Sequence, residues 1–228
     1  MSAPEVSPET LRPTYFIDSE HPAVKQFAER VVAGARDDVE RGVALYYAVR
    51  DGIRYDPYAF SRVAEDYRAG RVLEFSGAYC IQKSVVLAAA GRAVGIPTRL
   101  GFADVRNHLT SPKLAEIMGG NDLFVYHGYT DLFLDGRWVK STPAFNRELC
   151  ARFGVRPLEF DGRSDSIFHP FDAQNRKHMD YVRQRGHYDD LPFDEIISTF
   201  DVEYPGVFER AAAARKSYDD KFAATGAG

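Results

Sequence analysis

The chain has 228 residues, of which 45% are hydrophobic and 13% aromatic, a composition typical of a folded globular protein and not of a disordered or fibrous chain. Its 29 Lys and Arg residues against 33 Asp and Glu residues give a formal net charge of −4, so the positive excess of a nucleic-acid-binding protein is missing. The longest purely apolar stretch, residues 85–90, is far shorter than the roughly twenty residues that a bilayer-spanning helix needs. We therefore expect neither nucleic acid nor a membrane among the partners of this protein.

The first residues of the chain differ in composition from the rest. Residues 1–20 hold three prolines among serine and glutamate and are predicted to form a flexible leader. They contain neither the basic region nor the apolar stretch of a secretory signal, so the protein is expected to be cytoplasmic. Residues 21–228 are predicted to form a single domain.

Three helices are predicted in the first half of the chain. Apolar residues recur at helical spacing over residues 21–33 and 37–51, which predicts two helices that pack as a pair. A third helix runs from Cys80 to about Val94, where a glycine and a proline end it. This third helix is the most apolar segment of the chain, which indicates that its body lies in the core.

From residue 98 the hydrophobic period changes to two, which predicts strands over residues 98–105, 123–134 and 137–142. Residues 135–136 read Asp-Gly and predict a two-residue hairpin turn, so the strands form an antiparallel meander.

The C-terminal part is predicted to be mostly helical. The expected helices lie near residues 147–153, 176–184, 193–200 and 205–218. Helices on both sides of an antiparallel meander make an α+β fold.

Numbering outward from the hairpin turn gives the register of the last two strands. It pairs Phe133 with Trp138 and Asp131 with Lys140. Because paired residues share a face, one face of the sheet is expected to carry His127, Tyr129, Asp131, Phe133, Trp138, Lys140 and Thr142.

Cys80 is one of two cysteines and lies where the third helix begins. The unpaired amides and partial positive charge of a helix N-terminus favour the thiolate over the thiol, so Cys80 is a candidate nucleophile. The alternative is that Cys80 is a small buried hydrophobic residue, as most free cysteines are. The other cysteine, Cys150, is predicted to be a packing residue, and two cysteines are too few for a disulfide framework.

His127 lies on the first strand of the hairpin. A histidine there could take the thiol proton and later protonate a leaving amine, as the base does in cysteine enzymes of several folds. The alternative is a core or edge histidine that is satisfied by a backbone carbonyl.

The order of these residues resembles the transglutaminase-like superfamily. The signature of that family joins a cysteine that opens a helix, a G-I-P-[AT]-R sequence at the helix end, a histidine on a strand, and a glycine turn before a tryptophan. The matching segments are residues 77–80 (GAYC), 95–99 (GIPTR), 127–129 (HGY) and 134–139 (LDGRWV).

The resemblance implies a papain-like fold, in which the nucleophile begins a central helix packed on an antiparallel sheet that carries the histidine. It assigns the nucleophile to Cys80 and the general base and acid to His127. It covers about residues 40–146, which leaves residues 147–222 as a C-terminal helical elaboration.

The third member of the expected triad is missing. Where the family has an aspartate a few residues after the tryptophan, this chain has Thr142. Thr142 and Asn146 are the candidates to orient the imidazole, since a hydroxyl or an amide can hold the ring. Asp131 is less suitable, because four residues of strand put its backbone about 13 Å from that of His127 and because Lys140 is its natural partner.

Other site residues are assigned more loosely. The backbone amide of Cys80 is the expected oxyanion donor. Residues 106–108 form a polar cluster on a loop that can contact substrate or simply be solvated. The candidate substrate contacts are Tyr79, Asn107, His108 and Tyr129.

No metal or cofactor is expected. His169, His178 and His187 recur every nine residues, which is not a metal-ligand spacing on one helix or one strand. The sequence has no glycine-rich phosphate loop.

The sequence therefore predicts a cofactor-free cysteine enzyme that forms a thioester acyl-enzyme, with amide hydrolysis on a small molecule or peptide as the expected reaction. One alternative is a non-catalytic binding or scaffold domain of the same fold. Another is an enzyme of the same kind that acts on a different activated carbonyl, through thioester or C–C bond cleavage. The oligomeric state is not predicted.

Overall fold

The computed structural model describes residues 6–108, 110–167 and 179–215. Its helices are α1 (Pro22–Val32), α2 (Asp38–Gly52), α3 (Ala69–Val72), α4 (Cys80–Ala93), α5 (Pro112–Ile117), α6 (Arg147–Phe153) and α7 (Phe193–Glu203). Residues 207–215 are also helical. None of the helices in these ranges combines the length and the apolar character needed to cross a bilayer.

The strands are β1 (Thr98–Asn107), β2 (Leu123–Leu134), β3 (Arg137–Ser141) and β4 (Met179–Tyr188). Within the described part of the chain they form one antiparallel sheet in the order β3-β2-β1-β4. Asp135 and Gly136 both have positive φ, as a tight hairpin turn between twisted strands requires. The predicted hairpin and its register, with Asp131 opposite Lys140, are confirmed.

β4 corrects the prediction of a helix over residues 176–184. Residues 179–188 form an edge strand that pairs with β1, for example His187 with Gly101. Two register shifts interrupt this pairing, so the strand lacks the regular alternation that identifies strands in a sequence. The pairing joins segments far apart in the chain and is therefore a tertiary effect. Residues 176–178 lie outside the described ranges.

α4 is the central helix and is buried along almost its whole length. It packs on β2, where the Thr130 hydroxyl donates to the Ser84 carbonyl at 2.9 Å. The two elements approach closely at Gly128, because a Cβ atom there would lie only 3.1 Å from the Ile81 Cα atom. The predicted α+β architecture, with a central helix packed on an antiparallel sheet, is confirmed.

The segment before α1 is packed where the sequence suggested a flexible leader. Ile17 is fully buried, and the backbone N–H of Gly70 donates to Asp18 Oδ1 at 3.0 Å. This packing depends on single contacts with residues far along the chain, which hydrophobic periodicity does not reveal. Residues 1–5 lie outside the described ranges.

Candidate active site

Cys80 is the first residue of α4, and the preceding Tyr79 has an extended backbone. Gln82, one turn into the helix, accepts the Tyr79 N–H at its Oε1 atom at 3.2 Å and donates from Nε2 to the Asp66 carbonyl at 2.8 Å. The side chain of Tyr79 does not cap the first turn of α4. The first amides of α4 are therefore free to face the Cys80 sulfur.

Two opposing effects set the pKa of the Cys80 thiol. Burial raises it, and the backbone N–H groups of Gly128, Ile81 and Cys80 itself lower it. Burial dominates, and the pKa is about 11. The helix N-terminus lowers the pKa of Cys80, as expected, but burial outweighs it, so attack by the sulfur requires a base.

His127 lies on β2 and lines the same cavity as Cys80. The side chains of Cys80 and His127 are both buried, with 7% and 5% of each residue exposed. The cavity is small, with a volume of about 30 Å³. Besides His127, its aromatic lining consists of Tyr55, Phe60, Tyr79, Phe124, Tyr126, Phe200 and Tyr204.

A bulge in β2 sets the position of His127. Ala103 pairs with His127 and Val105 with Phe124, so β2 holds one extra residue between them. Tyr126, in the bulge, has φ of 54°, a left-handed conformation that a bulky side chain rarely adopts. Its backbone N–H donates to Asp104 Oδ1 at 3.1 Å.

Arg185 on β4 holds the carboxylate of Asp104 in turn. Its Nε atom donates to Asp104 Oδ1 at 2.7 Å, and its guanidinium carbon lies 4.4 Å from the centre of the Tyr126 ring. Asp104 is buried, so the ion pair compensates its charge. The strand that the sequence analysis missed thus supports the residue next to His127.

Asn146 and Thr142, the two candidates to orient His127, lie in the segment after β3. Asn146 immediately precedes α6 without capping it by its side chain, and its Oδ1 atom accepts the backbone N–H of Tyr55 at 3.2 Å. The Thr142 hydroxyl donates to the Ile167 carbonyl at 2.9 Å. Both residues are buried, and neither is among the described residues that line the Cys80 cavity.

Tyr55 links Asn146 to the nucleophile. It forms a short parallel bridge with Ala78, two residues before Cys80, and it lines the cavity. The N–H of Ala78 donates to the Arg54 carbonyl at 2.9 Å. The bridge fixes the approach of the chain to the start of α4.

The predicted ion pair between Asp131 and Lys140 is wrong, although the two residues are opposite each other. Asp131 Oδ2 lies 2.8 Å from Arg99 Nε and 3.0 Å from His187 Nε2. Lys140 Nζ instead lies 5.6 Å from the centre of the Tyr129 ring. The hairpin turn was sufficient to predict the register of β2 on β3, whereas Arg99 and His187 come from β1 and β4.

The structure places two of the four predicted substrate contacts at cavities and the other two in contacts with β4. Tyr79 lines the Cys80 cavity, and Asn107 lines a second cavity beside it. His108 Nε2 lies 2.9 Å from Asp180 Oδ2. Tyr129 is fully buried and donates its hydroxyl to Gln184 Oε1 at 3.1 Å.

Lys83 is a site residue that the sequence analysis missed. It lies in α4 one turn after Cys80 and is fully buried. Its Nζ atom donates to three backbone carbonyls, those of Arg50 at 2.9 Å, Ile53 at 2.7 Å and Ala144 at 2.7 Å. The signal that could have revealed it is a cation in the first turn of the most apolar helix of the chain, three residues after Cys80.

Burial lowers the pKa of Lys83 to about 7. Three carbonyl acceptors require three N–H donors, which only the ammonium form has, so these hydrogen bonds oppose the effect of burial. The ammonium group ties α4 to the end of α2 and to the segment that leads to Asn146.

Cys150 is buried in α6, and its Sγ atom lies 3.8 Å from the Phe145 carbonyl oxygen. Burial raises the pKa of its thiol to about 11 as well. Within the described ranges no three His, Cys, Asp or Glu side chains are grouped as a metal ion would require. His169 and His178 lie outside those ranges.

Comparisons with known proteins include a match to a family model and a similarity to a solved structure. The family model of the Transglutaminase-like superfamily matches residues 25–143, about half of the chain. A crystal structure of a proposed cysteine protease from Cytophaga hutchinsonii is similar, with 12% sequence identity and a TM-score of 0.45. The match covers 78% of this chain and 53% of that one, so this chain spans about half the length of that protein. The comparison with curated proteins gave no match.

Proposed function

The chain belongs to the transglutaminase-like superfamily, and we propose that it is a cysteine-dependent enzyme that hydrolyses an amide bond in a small molecule or peptide through a thioester acyl-enzyme. One observation carries the proposal. Cys80 at the start of α4 and His127 on β2 line the same cavity, and backbone N–H groups face the sulfur. A nucleophile, a base and oxyanion donors in one place are what acyl transfer requires.

The first half of the reaction forms the acyl-enzyme. His127 takes the thiol proton of Cys80 as the sulfur attacks the substrate carbonyl carbon, and the carbonyl oxygen becomes an oxyanion. The backbone N–H of Cys80 stabilises that oxyanion. The protonated His127 then gives its proton to the leaving amine as the C–N bond breaks, which leaves a thioester on Cys80.

The second half releases the product. His127 takes a proton from a water molecule that attacks the thioester carbonyl, and the proton returns to the sulfur as the C–S bond breaks. The products are a carboxylic acid and the free thiol of Cys80. An amine in place of water would make the reaction an acyl transfer.

Because the pKa of Cys80 is about 11, the resting enzyme holds a thiol near neutral pH. Proton removal by His127 is therefore part of the attack and not a separate step that precedes it. This requirement makes the orientation of His127 important. We propose Asn146, held by Tyr55, and Thr142 as the residues that orient the imidazole.

The size of the cavity restricts the substrate. A cavity of about 30 Å³ admits only a small part of a substrate beside Cys80, so the rest of the substrate lies outside it or displaces lining side chains. Phe200 of α7 and Tyr204, which follows it, are part of that lining. A site covered in this way favours small molecules and extended peptides over folded proteins. A reducing cytoplasm would keep both thiols free.

A non-catalytic binding domain of the same fold is the second candidate. Two observations favour it: Thr142 stands where a carboxylate is expected, and the thiol of Cys80 is protonated at neutral pH. A third candidate keeps the acyl-enzyme but uses a thioester or a C–C bond next to a carbonyl as substrate. A thiolate attacks any activated carbonyl, so the same residues serve it.

Turnover of a panel of amides, thioesters and activated esters by the full chain tests these candidates. Cys80→Ala is expected to lose hydrolysis, whereas Cys150→Ala is expected to retain it, because Cys150 is also buried but lines the neighbouring cavity and not the Cys80 cavity. Equal turnover by wild type and Cys80→Ala would overturn the proposed function. No turnover of any member by the wild type would favour the binding domain.

A further inference from the structure

We infer that a second cavity beside Cys80 is a specificity subsite that binds an uncharged aliphatic side chain of the substrate. The inference rests on the proposed function, because it assumes that a substrate carbonyl reaches Cys80. It adds the chemical class of the group that flanks that carbonyl.

The second cavity lies directly beside the Cys80 cavity. Tyr55, Pro57 and Leu114 line both it and the Cys80 cavity. A substrate whose carbonyl lies at Cys80 therefore has a neighbouring group within reach of the second cavity. Tyr55 separates the two spaces and is fixed by its backbone hydrogen bond to Asn146.

The lining selects an apolar group. Its apolar members include Phe145, Leu149, Phe153 and Val155, and Phe153 is 52% exposed at the surface. None of the described residues that line this cavity has a charged side chain. A charged substrate group would lose its hydration there without gaining a partner, which is strongly unfavourable.

The volume of the second cavity further restricts the class of substrate group that fits it. The cavity measures about 100 Å³, smaller than the roughly 150 Å³ cavity that holds benzene in another protein. A branched aliphatic side chain fills such a space, whereas a phenyl ring requires the lining to move. Asn107, Thr110 and Ser111 are the polar members of the lining and can face the polar backbone of a peptide.

Binding to the full chain with Cys80→Ala tests the subsite without any chemistry. The probes are the N-acetyl amides of leucine, glycine, phenylalanine, lysine and glutamate, with dissociation constants measured by ligand-observed NMR. We expect the leucine amide to bind about tenfold to a hundredfold more tightly than the glycine amide. The lysine and glutamate amides should bind no more tightly than glycine.

Leu149→Glu in the same background places a charge in the cavity and should remove the preference for leucine while glycine binds as before. Leu149→Trp, which fills the space without a charge, should do the same and guards against a variant that fails to fold. Val202→Glu is the matched control, because Val202 is 77% exposed on α7 and lines neither cavity. The Val202→Glu variant should keep the preference for the leucine amide over the glycine amide.

Equal binding of leucine and glycine amides, or a preference that survives both Leu149 variants, would overturn the subsite. The cavity would then be a packing defect or a surface for a second copy of the chain. The proposed function is tested separately, by comparing turnover by the wild type and by Cys80→Ala. Turnover without side-chain preference overturns only the subsite, and preference without turnover overturns only the function.

Discussion

Asp104 accepts the backbone N–H of Tyr126 at 3.1 Å, at the β2 bulge that immediately precedes His127. The left-handed conformation of Tyr126 costs free energy and persists only where its surroundings hold it. Asp104, itself held by Arg185, provides that support. A buried ion pair on one face of the sheet thus positions the proposed base on β2.

Asp104→Ala is expected to displace His127, because the Tyr126 N–H loses its acceptor. A displacement of about 1 Å can cost about a hundredfold in rate. The measurement is the rate at which iodoacetamide alkylates Cys80 in a Cys150→Ala background, which needs no known substrate. Asp104→Asn keeps an acceptor oxygen and should recover most of the rate.

Asp131→Asn is the matched control for Asp104→Ala. Asp131 is also buried on the sheet and paired with an arginine, Arg99, but it does not hold the bulge. It should lower the melting temperature and leave the alkylation rate of Cys80 unchanged. Equal alkylation rates in Asp104→Ala and wild type would show that the bulge does not position His127.

The pH dependence of Cys80 alkylation should reveal the role of His127. Burial raises the pKa of Cys80 to about 11, so without a base the thiolate fraction grows about tenfold per pH unit until that pH is approached. His127→Gln should follow this steep profile. The wild type should react about a hundredfold faster than His127→Gln near neutral pH, with the difference shrinking as the pH rises.

A plateau in the His127→Gln profile at about pH 8 or below would contradict this account, because it would mean that the thiolate of Cys80 is already formed there. Cys150, measured in a Cys80→Ala background, gives the comparison. Its thiol also has a pKa of about 11, and its rate should not depend on His127.

Much of the fold follows from local sequence, and the parts that do not are long-range. The Asp135-Gly136 turn fixes the hairpin and its register, and the apolar run after Cys80 identifies the buried helix. β4 depends on pairing with β1, which is distant in the chain, so residues 179–184 were predicted to be helical. The Asp131 partners Arg99 and His187 come from β1 and β4 for the same reason.

In the candidate site, too, the features that depend on local sequence were predictable and those that depend on long-range packing were not. The order of Cys80 and His127 in a family pattern was sufficient to propose them, and both line one cavity. The pKa of Cys80 was not predictable, because a helix N-terminus lowers it and burial raises it, and only the folded structure gives the extent of burial. Lys83 was missed because its three acceptors are carbonyls from two other segments.

Lys83→Met is expected to destabilise the protein. It leaves three buried carbonyls without their donor, and each unsatisfied group costs about 1–3 kcal/mol, partly offset because a buried ammonium is no longer desolvated. We expect a net loss of about 2–4 kcal/mol in the free energy of unfolding, measured by urea denaturation. Lys25→Met, at an exposed position of α1, is the control and should change it by less than about 0.5 kcal/mol.

The lowered pKa of Lys83 predicts how the stability difference between the wild type and Lys83→Met changes with pH. Its pKa is lowered to about 7 in the folded protein from the ordinary 10.5, so between these values the unfolded chain binds more protons at this residue. The contribution of Lys83 to stability therefore increases as the pH rises from 7 towards 10.5. The wild type should gain stability relative to Lys83→Met over that window, and a constant difference would contradict the lowered pKa.

Trapping of the acyl-enzyme tests the central claim most directly. The full chain is mixed with 4-nitrophenyl acetate, quenched in acid and analysed by intact mass and peptide mapping. We predict one acetyl group on Cys80, formed together with 4-nitrophenol, absent from Cys80→Ala, retained in Cys150→Ala and formed more slowly in His127→Gln. Acetylation that is equal in wild type and Cys80→Ala, or that maps to Cys150, would contradict the assignment of Cys80 as the nucleophile.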